Sequence, residues 1–72
     1  MTRAVVPETE ASNNIKACRI KKGLKQAEIA ELLGLSRYGY IKWENHPYDI
    51  SIDKLLKIAN CLDANIEDFI LP

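Results

Sequence analysis

Seventy-two residues, 47% hydrophobic and 28% charged with three Gly and three Pro, make one small globular domain and exclude a collagen-like, low-complexity or fully disordered chain. The formal net charge is zero, which taken alone argues against a nucleic-acid partner, but residues 16–42 carry seven bases against two acids and residues 44–72 two bases against six acids, so the neutral total conceals a basic first part. No apolar run approaches the roughly 20 residues that span a bilayer, and Met1 to Ser12 lacks the apolar stretch of a secretory signal, so a cytoplasmic chain with no membrane partner is expected.

Residues 1–12 hold Pro7, small residues and acids without periodicity, and are expected to form a flexible tail. The domain proper is expected over residues 13–72. Ser12 or Asn13 can cap a first helix, since either side-chain oxygen accepts a free first-turn N–H. Ile15 and Cys18 lie on its apolar side, with Lys16, Lys21 and Lys22 available to solvent. Gly23 stops it near residue 22. A second helix starts at Lys25 or Gln26, with Ile29, Ala30, Leu32 and Leu33 as its stripe, and ends at Gly34. Ser36 is a strong N-cap for a third helix, Arg37 to about Asn45, with Tyr40 and Trp43 inward. Pro47 ends it, and residues 46–51 form a loop. Ile52, Leu55, Leu56, Ile58, Ala59 and Leu62 mark a fourth helix capped by Ser51. A short fifth helix follows Asn65, with Ile66, Phe69 and Ile70 apolar. No segment alternates with period two, so the expected fold is all-α: four or five short helices around one core.

Cys18 and Cys61 lie 43 positions apart and read as reduced core thiols rather than a disulfide. With His46 they are too few for a zinc site. No phosphate-cradling glycine loop, Ser/His/Asp set or acid pair in an apolar pocket is present. His46 beside a proline is a poor catalytic base. No enzyme, metal or cofactor is expected.

The informative segment is Gln26 to Asn45, QAEIAELLGLSRYGYIKWEN. Two short helices flank a break centred on Gly34, which can take a positive φ. Ala30 is small where the helices must approach. Ile29, Leu33, Leu35, Tyr40 and Trp43 are apolar at spacings that seal the corner. This is a helix-turn-helix pattern. With Gly23-Leu24-Lys25-Gln26 before it, Glu44-Asn45 at its end, and Leu55, Ile58-Ala59 and Leu62 beyond, the chain resembles the lambda-repressor-like, Cro-type (XRE-like) helix-turn-helix family over residues 13–71.

That resemblance implies double-stranded DNA as partner, with the helix after Ser36 in the major groove, where each base pair shows a distinct donor and acceptor pattern. Base contacts are then expected from Ser36, Arg37, Tyr38, Ile41 and Lys42. Arg37 can fork onto a guanine, Lys42 can reach a guanine or a phosphate, and Tyr38 and Ile41 can meet a thymine methyl. Phosphate contacts are expected from Lys25, Gln26, Asn45 and His46, with Asn14 and Lys16 reaching from the first helix. The family commonly pairs an arginine of the first helix with a glutamate ending the third, which here implies an Arg19–Glu44 ion pair. Gly39 has two readings: close approach to DNA, or room for Tyr38 and Tyr40.

The chain departs from the family after the third helix. Glycine and then basic residues often stand there, but this chain has His46, Pro47, Tyr48, Asp49 and Ile50, which predicts modest nonspecific affinity. The leading expectation is a small transcriptional regulator, a repressor of phage or bacterial type, homodimeric at least on DNA and without a small-molecule effector. Ile66, Phe69, Ile70 and Leu71 form a dimer contact or close the monomer core. The alternative is a protein-interaction module on the same scaffold, antitoxin-like or a phage anti-regulator, that uses Tyr38, Ile41 and Tyr48.

Overall fold

The computed structural model describes residues 4–72, and all regular structure among them is helical: α1 Glu8–Lys21, α2 Gln26–Leu32, α3 Arg37–Asn45, α4 Ile52–Cys61 and α5 Glu67–Ile70. Helix α2 packs on α3, and α1 packs on α3 and α5. Ile15, Ile29, Ala30, Tyr40, Leu55, Ile58, Ala59, Leu62 and Phe69 meet at the centre.

Local chemistry sets most helix ends. Ser36 Oγ accepts the Gly39 N–H at 3.0 Å, and Ser51 Oγ accepts the Lys54 N–H at 3.3 Å. Each satisfies a donor that a first turn leaves free. Gly39 lies under that cap: a Cβ there would come within 3.3 Å of Ser36 Oγ. The absent side chain therefore makes room for the capping hydroxyl. At the other ends, Gly23 and Gly34 have φ of +76° and +71°. In each case the next residue closes the helix with a six-to-one bond, Leu24 N–H to Arg19 O at 3.1 Å and Leu35 N–H to Ala30 O at 2.8 Å, the pattern of a left-handed helix stop.

Helix α4 ends the same way, with Ala64 N–H donating to Ala59 O at 2.9 Å, but the left-handed position is Asp63 at φ 51°. An L side chain is strained there and glycine is not. The Asp63 carboxylate lies 2.6 Å from Lys22 Nζ, a hydrogen bond that lowers its pKa. Both groups are exposed, and such a pair contributes little. Relief of strain should outweigh its loss, so Asp63→Gly is expected to raise the melting temperature. An unchanged or lower value in a thermal melt would show that the ion pair matters more.

The N-terminal part differs from the expectation. Residues 8–12 are not tail but the first turns of α1, and Pro7, not Ser12 or Asn13, stands at its N-cap. Pro7 is already set at φ −57°, and Glu8 and Glu10 suit the positive end of the helix. Ser12 is buried inside α1 beside Ala11 and Ile15. Small side chains let α1 approach its neighbours closely, and they carry no strong hydropathy signal. Val6 is buried too, and its N–H donates to Ile70 O at 2.7 Å. The tyrosine hydroxyl of Tyr48 donates to Val6 O.

Three further assignments change. Leu32 is exposed rather than part of the inner stripe, and so are Ile52 and Leu56 on α4. Phe69 is 1% exposed and belongs to the core, so a dimer contact through Phe69 is excluded by its burial. Ile66, Ile70 and Leu71 are half-buried. Cys18 and Cys61 are half-buried free thiols, and burial pushes the Cys61 thiol up.

Candidate nucleic-acid interface

The site is organised by one buried carboxylate. Glu44, near the end of α3, is 0% exposed, and a bare carboxylate in that position would be costly without partners. It has four short contacts. Arg19 Nε of α1 donates to Oε2 at 2.8 Å, and Arg19 Nη2 approaches Oε1 at 3.4 Å. Gln26 Nε2 of α2 donates to Oε1 at 3.2 Å. The Tyr40 hydroxyl, one turn earlier on α3, donates to Oε2 at 2.6 Å. Arg19 Nη1 also donates to Leu24 O at 2.9 Å, which ties down the loop between α1 and α2.

The implied Arg19–Glu44 pair is therefore present, and it is larger than a pair. It joins α1, α2 and α3 at the corner of the helix-turn-helix. Burial, and then the hydrogen bond to Glu44, push the Tyr40 hydroxyl far above its ordinary range, so it stays a donor at any physiological pH. Among the described residues no buried side-chain polar atom lacks a partner. Tyr40 and Glu44 stand four apart on one helix face, and that spacing was a readable signal for their contact.

Fixing the inner face of α3 fixes its outer face. With Tyr40 and Glu44 buried, helical periodicity turns Tyr38, Lys42 and Asn45 outward and leaves Ile41 at the edge, while Arg37, three before Tyr40, is exposed in the first turn of α3. Ser36, Arg37, Lys42 and Asn45 are exposed, Ile41 is half-buried, and Tyr38 is 75% exposed. The five expected base-reading residues thus gather at the N-cap and on the first two turns of one helix, four of them exposed. An exposed tyrosine beside a half-exposed isoleucine and two bases is a surface that favours a partner over water.

The residues expected at phosphates divide. Lys25 is exposed, and its main-chain N–H donates to Glu28 Oε1 at 2.8 Å. His46 is exposed and lies with Nδ1 3.5 Å from Glu8 Oε1. Glu8, His46 and Asp49 bring one ligand atom each within 4.8 Å of one another, so two acids flank His46. Lys16 is half-buried. Gln26 has one amide hydrogen committed to Glu44 and one left. Asn14 is half-buried, and its amide donates to Phe69 O at 2.9 Å, 55 positions away. That bond makes Asn14 a tie between α1 and α5.

Comparison with known proteins places this geometry. Residues 15–69 match the family model described as Helix-turn-helix. The chain is 37% identical over 57 residues to the SPbeta prophage-derived uncharacterized HTH-type transcriptional regulator YonR of Bacillus subtilis (strain 168), covering 79% of this chain and 52% of that protein. It is 35% identical over 56 residues to the uncharacterized HTH-type transcriptional regulator YqaE of the same organism, covering 78% of this chain and 48% of that protein. The chain thus spans about half the length of these curated relatives. Among solved structures, FeII HppE in complex with substrate superposes with a TM-score of 0.82 at 24% identity, over 92% of this chain and 38% of that one. CoII HppE in complex with substrate superposes at 0.81, with 24% identity over 93% of this chain and 38% of the other. Those two share the fold. The sequence matches, together with a buried Glu44 that locks two short helices around Gly34, make this chain a member of the helix-turn-helix family.

Proposed function

We propose that the chain binds double-stranded DNA sequence-specifically as a small transcriptional regulator, a repressor of phage or bacterial type. The observation that carries this reading is the outer face of α3. Arg37, Tyr38 and Lys42 are exposed, with half-buried Ile41 beside them, on a helix whose inner face is sealed by Tyr40 and Glu44. An α-helix fits the major groove, and a recognition helix reads with its N-terminal residues. Ser36, Arg37, Tyr38, Ile41 and Lys42 supply the base contacts. Lys25, the remaining amide hydrogen of Gln26, Asn45 and His46 hold phosphates, and Lys16 is within the same basic half of the sequence. The relatives named as transcriptional regulators support the reading. It places the chain in the cytoplasm with DNA, with two copies on adjacent half-sites about 34 Å apart and no effector.

Asp49 stands after α3 where the family often carries bases, and Glu8 lies beside His46, so few phosphate contacts and a shallow salt slope are expected for a DNA reader. The test is selection of bound duplexes from a random pool, followed by titration of the selected duplex at two salt concentrations. Enrichment of a two-fold sequence, with affinity falling as salt rises, is the expected result. No enrichment, with salt-independent binding to a protein partner instead, would favour an interaction module built on Tyr38, Ile41 and Tyr48. Against that alternative, the Tyr48 N–H and hydroxyl are both committed within the chain, to Glu8 and Val6.

A further inference from the structure

The turn after α3 is built rigidly and tied to the start of α1. The His46 N–H donates to Lys42 O at 2.9 Å, and the Asp49 N–H donates to His46 O at 3.0 Å. Pro47, between them, is buried and anchors the turn in the domain. Tyr48 then joins the turn to α1: its main-chain N–H donates to Glu8 Oε2 at 3.2 Å, and its hydroxyl donates to Val6 O. Glu8, His46 and Asp49 are thereby held together, with one ligand atom from each within 4.8 Å of the other two.

Two features set this cluster apart from a surface ion pair. The first is a gap. His46 Nδ1 and Glu8 Oε1 stand 3.5 Å apart, beyond the length of a good hydrogen bond, yet close to the nitrogen–oxygen edge of a tetrahedron whose metal bonds are about 2.1 Å. The second is charge. Neither Glu8 nor Asp49 pairs with a lysine or arginine among the described residues, so two carboxylates and one imidazole share a corner with no permanent cation. Glu8 Oε2 is engaged by the Tyr48 N–H, which leaves Oε1 beside the gap. An outer hydrogen bond of that kind is what orients a metal-ligating carboxylate.

We propose that Glu8, His46 and Asp49 bind one divalent first-row transition-metal ion of the zinc type. One imidazole with two carboxylates suits such an ion, whereas calcium and magnesium favour oxygen alone. Three protein ligands leave a fourth position open to water or to an anionic oxygen. The ion cancels the charge of the two carboxylates and clasps the start of α1 to the turn after α3. Forty positions separate Glu8 from Tyr48, so no spacing motif in the sequence shows the site. A consequence for DNA follows where His46 is a phosphate contact: the open position can take a backbone oxygen, and the local repulsion is removed. That consequence rests on the DNA-binding reading; the metal site itself does not.

The test is calorimetric titration of the tag-free, metal-stripped full chain with zinc chloride, without DNA. It is paired with NMR of the His46 ring, which is unambiguous because the chain has one histidine. One zinc per chain is expected, with the ring signals shifted and the melting temperature raised by the ion. Glu8→Gln, Asp49→Asn and His46→Gln should each weaken binding by about tenfold or more, since loss of an outer partner alone costs that much. Binding should also weaken as pH falls below about 6.5, where a free imidazole takes up its proton. Cobalt in place of zinc should give no thiolate charge-transfer band, because Cys18 and Cys61 are not ligands. Melts of each variant without metal check folding. No binding, a thiolate band, or binding indifferent to Glu8→Gln and Asp49→Asn would each overturn the site. Zinc that binds as expected but leaves affinity for the selected duplex unchanged would sink only the consequence for DNA. A chain that passes the zinc titration but binds no duplex would sink only the DNA-binding reading.

Discussion

Replacing Glu44 with alanine is expected to destabilise the domain by about 3–5 kcal/mol, the range for breaking one side of a buried ion pair. Much of the loss comes from what is left behind. Arg19 is 12% exposed at its side chain and would keep its charge with only Leu24 O as a partner in the structure. Tyr40 and Gln26 would lose their acceptor as well. Native proteins hold only about 5–15 kcal/mol in total, so this one variant should lose a large share of the stability and melt well below the parent. Arg19→Ala should follow, because it strands the buried carboxylate itself. Arg37→Ala should barely move the melting temperature, since Arg37 is exposed and surface changes usually stay within about 0.5 kcal/mol. Thermal melts of the three variants decide the matter. Equal melting temperatures for Arg19→Ala and Arg37→Ala would refute the structural role of the buried carboxylate.

Arg37→Ala should instead act on recognition. A guanidinium forked onto a guanine contributes about 1–3 kcal/mol of discrimination at one base pair. Its removal should relax preference at that position and leave the others intact. Lys25→Ala should show the complementary behaviour. A lysine at a phosphate adds affinity regardless of sequence, so its loss should weaken every duplex alike and reduce the salt slope by about 1. Binding of both variants to a panel of single-base changes, at two salt concentrations, separates the roles. A uniform loss for Arg37→Ala would demote it to a backbone anchor.

These predictions rest on different amounts of readable sequence. The face of α3 was legible because Ser36 caps it and Tyr40 and Trp43 mark its inner side at helical spacing. Gly34 marked the turn because no ordinary residue takes its φ without strain. The Arg19–Glu44 pair was legible only by resemblance, as the two stand 25 positions apart and nothing local links them. The start of α1 was not legible. Ala11 and Ser12 pack inside without being strongly apolar, so periodicity alone started the helix too late. The exposure of Leu32, Ile52 and Leu56 was also hidden, because an apolar residue at the edge of a stripe reads the same whether a neighbour covers it or not.

By itself the sequence determined the all-helical class, most of the helix ends and the helix-turn-helix between residues 26 and 45. Caps, left-handed stops and helical periodicity act within four or five residues, so they are written where they operate. Tertiary packing decided which polar side chains serve the inside. Gln26 and Asn14, both expected at phosphates, donate to Glu44 and to Phe69 O across 18 and 55 positions. Packing also took Phe69 from a possible surface contact into the core. A buried acceptor must be satisfied by whatever donor the fold brings beside it, and that proximity exists only once the helices have packed.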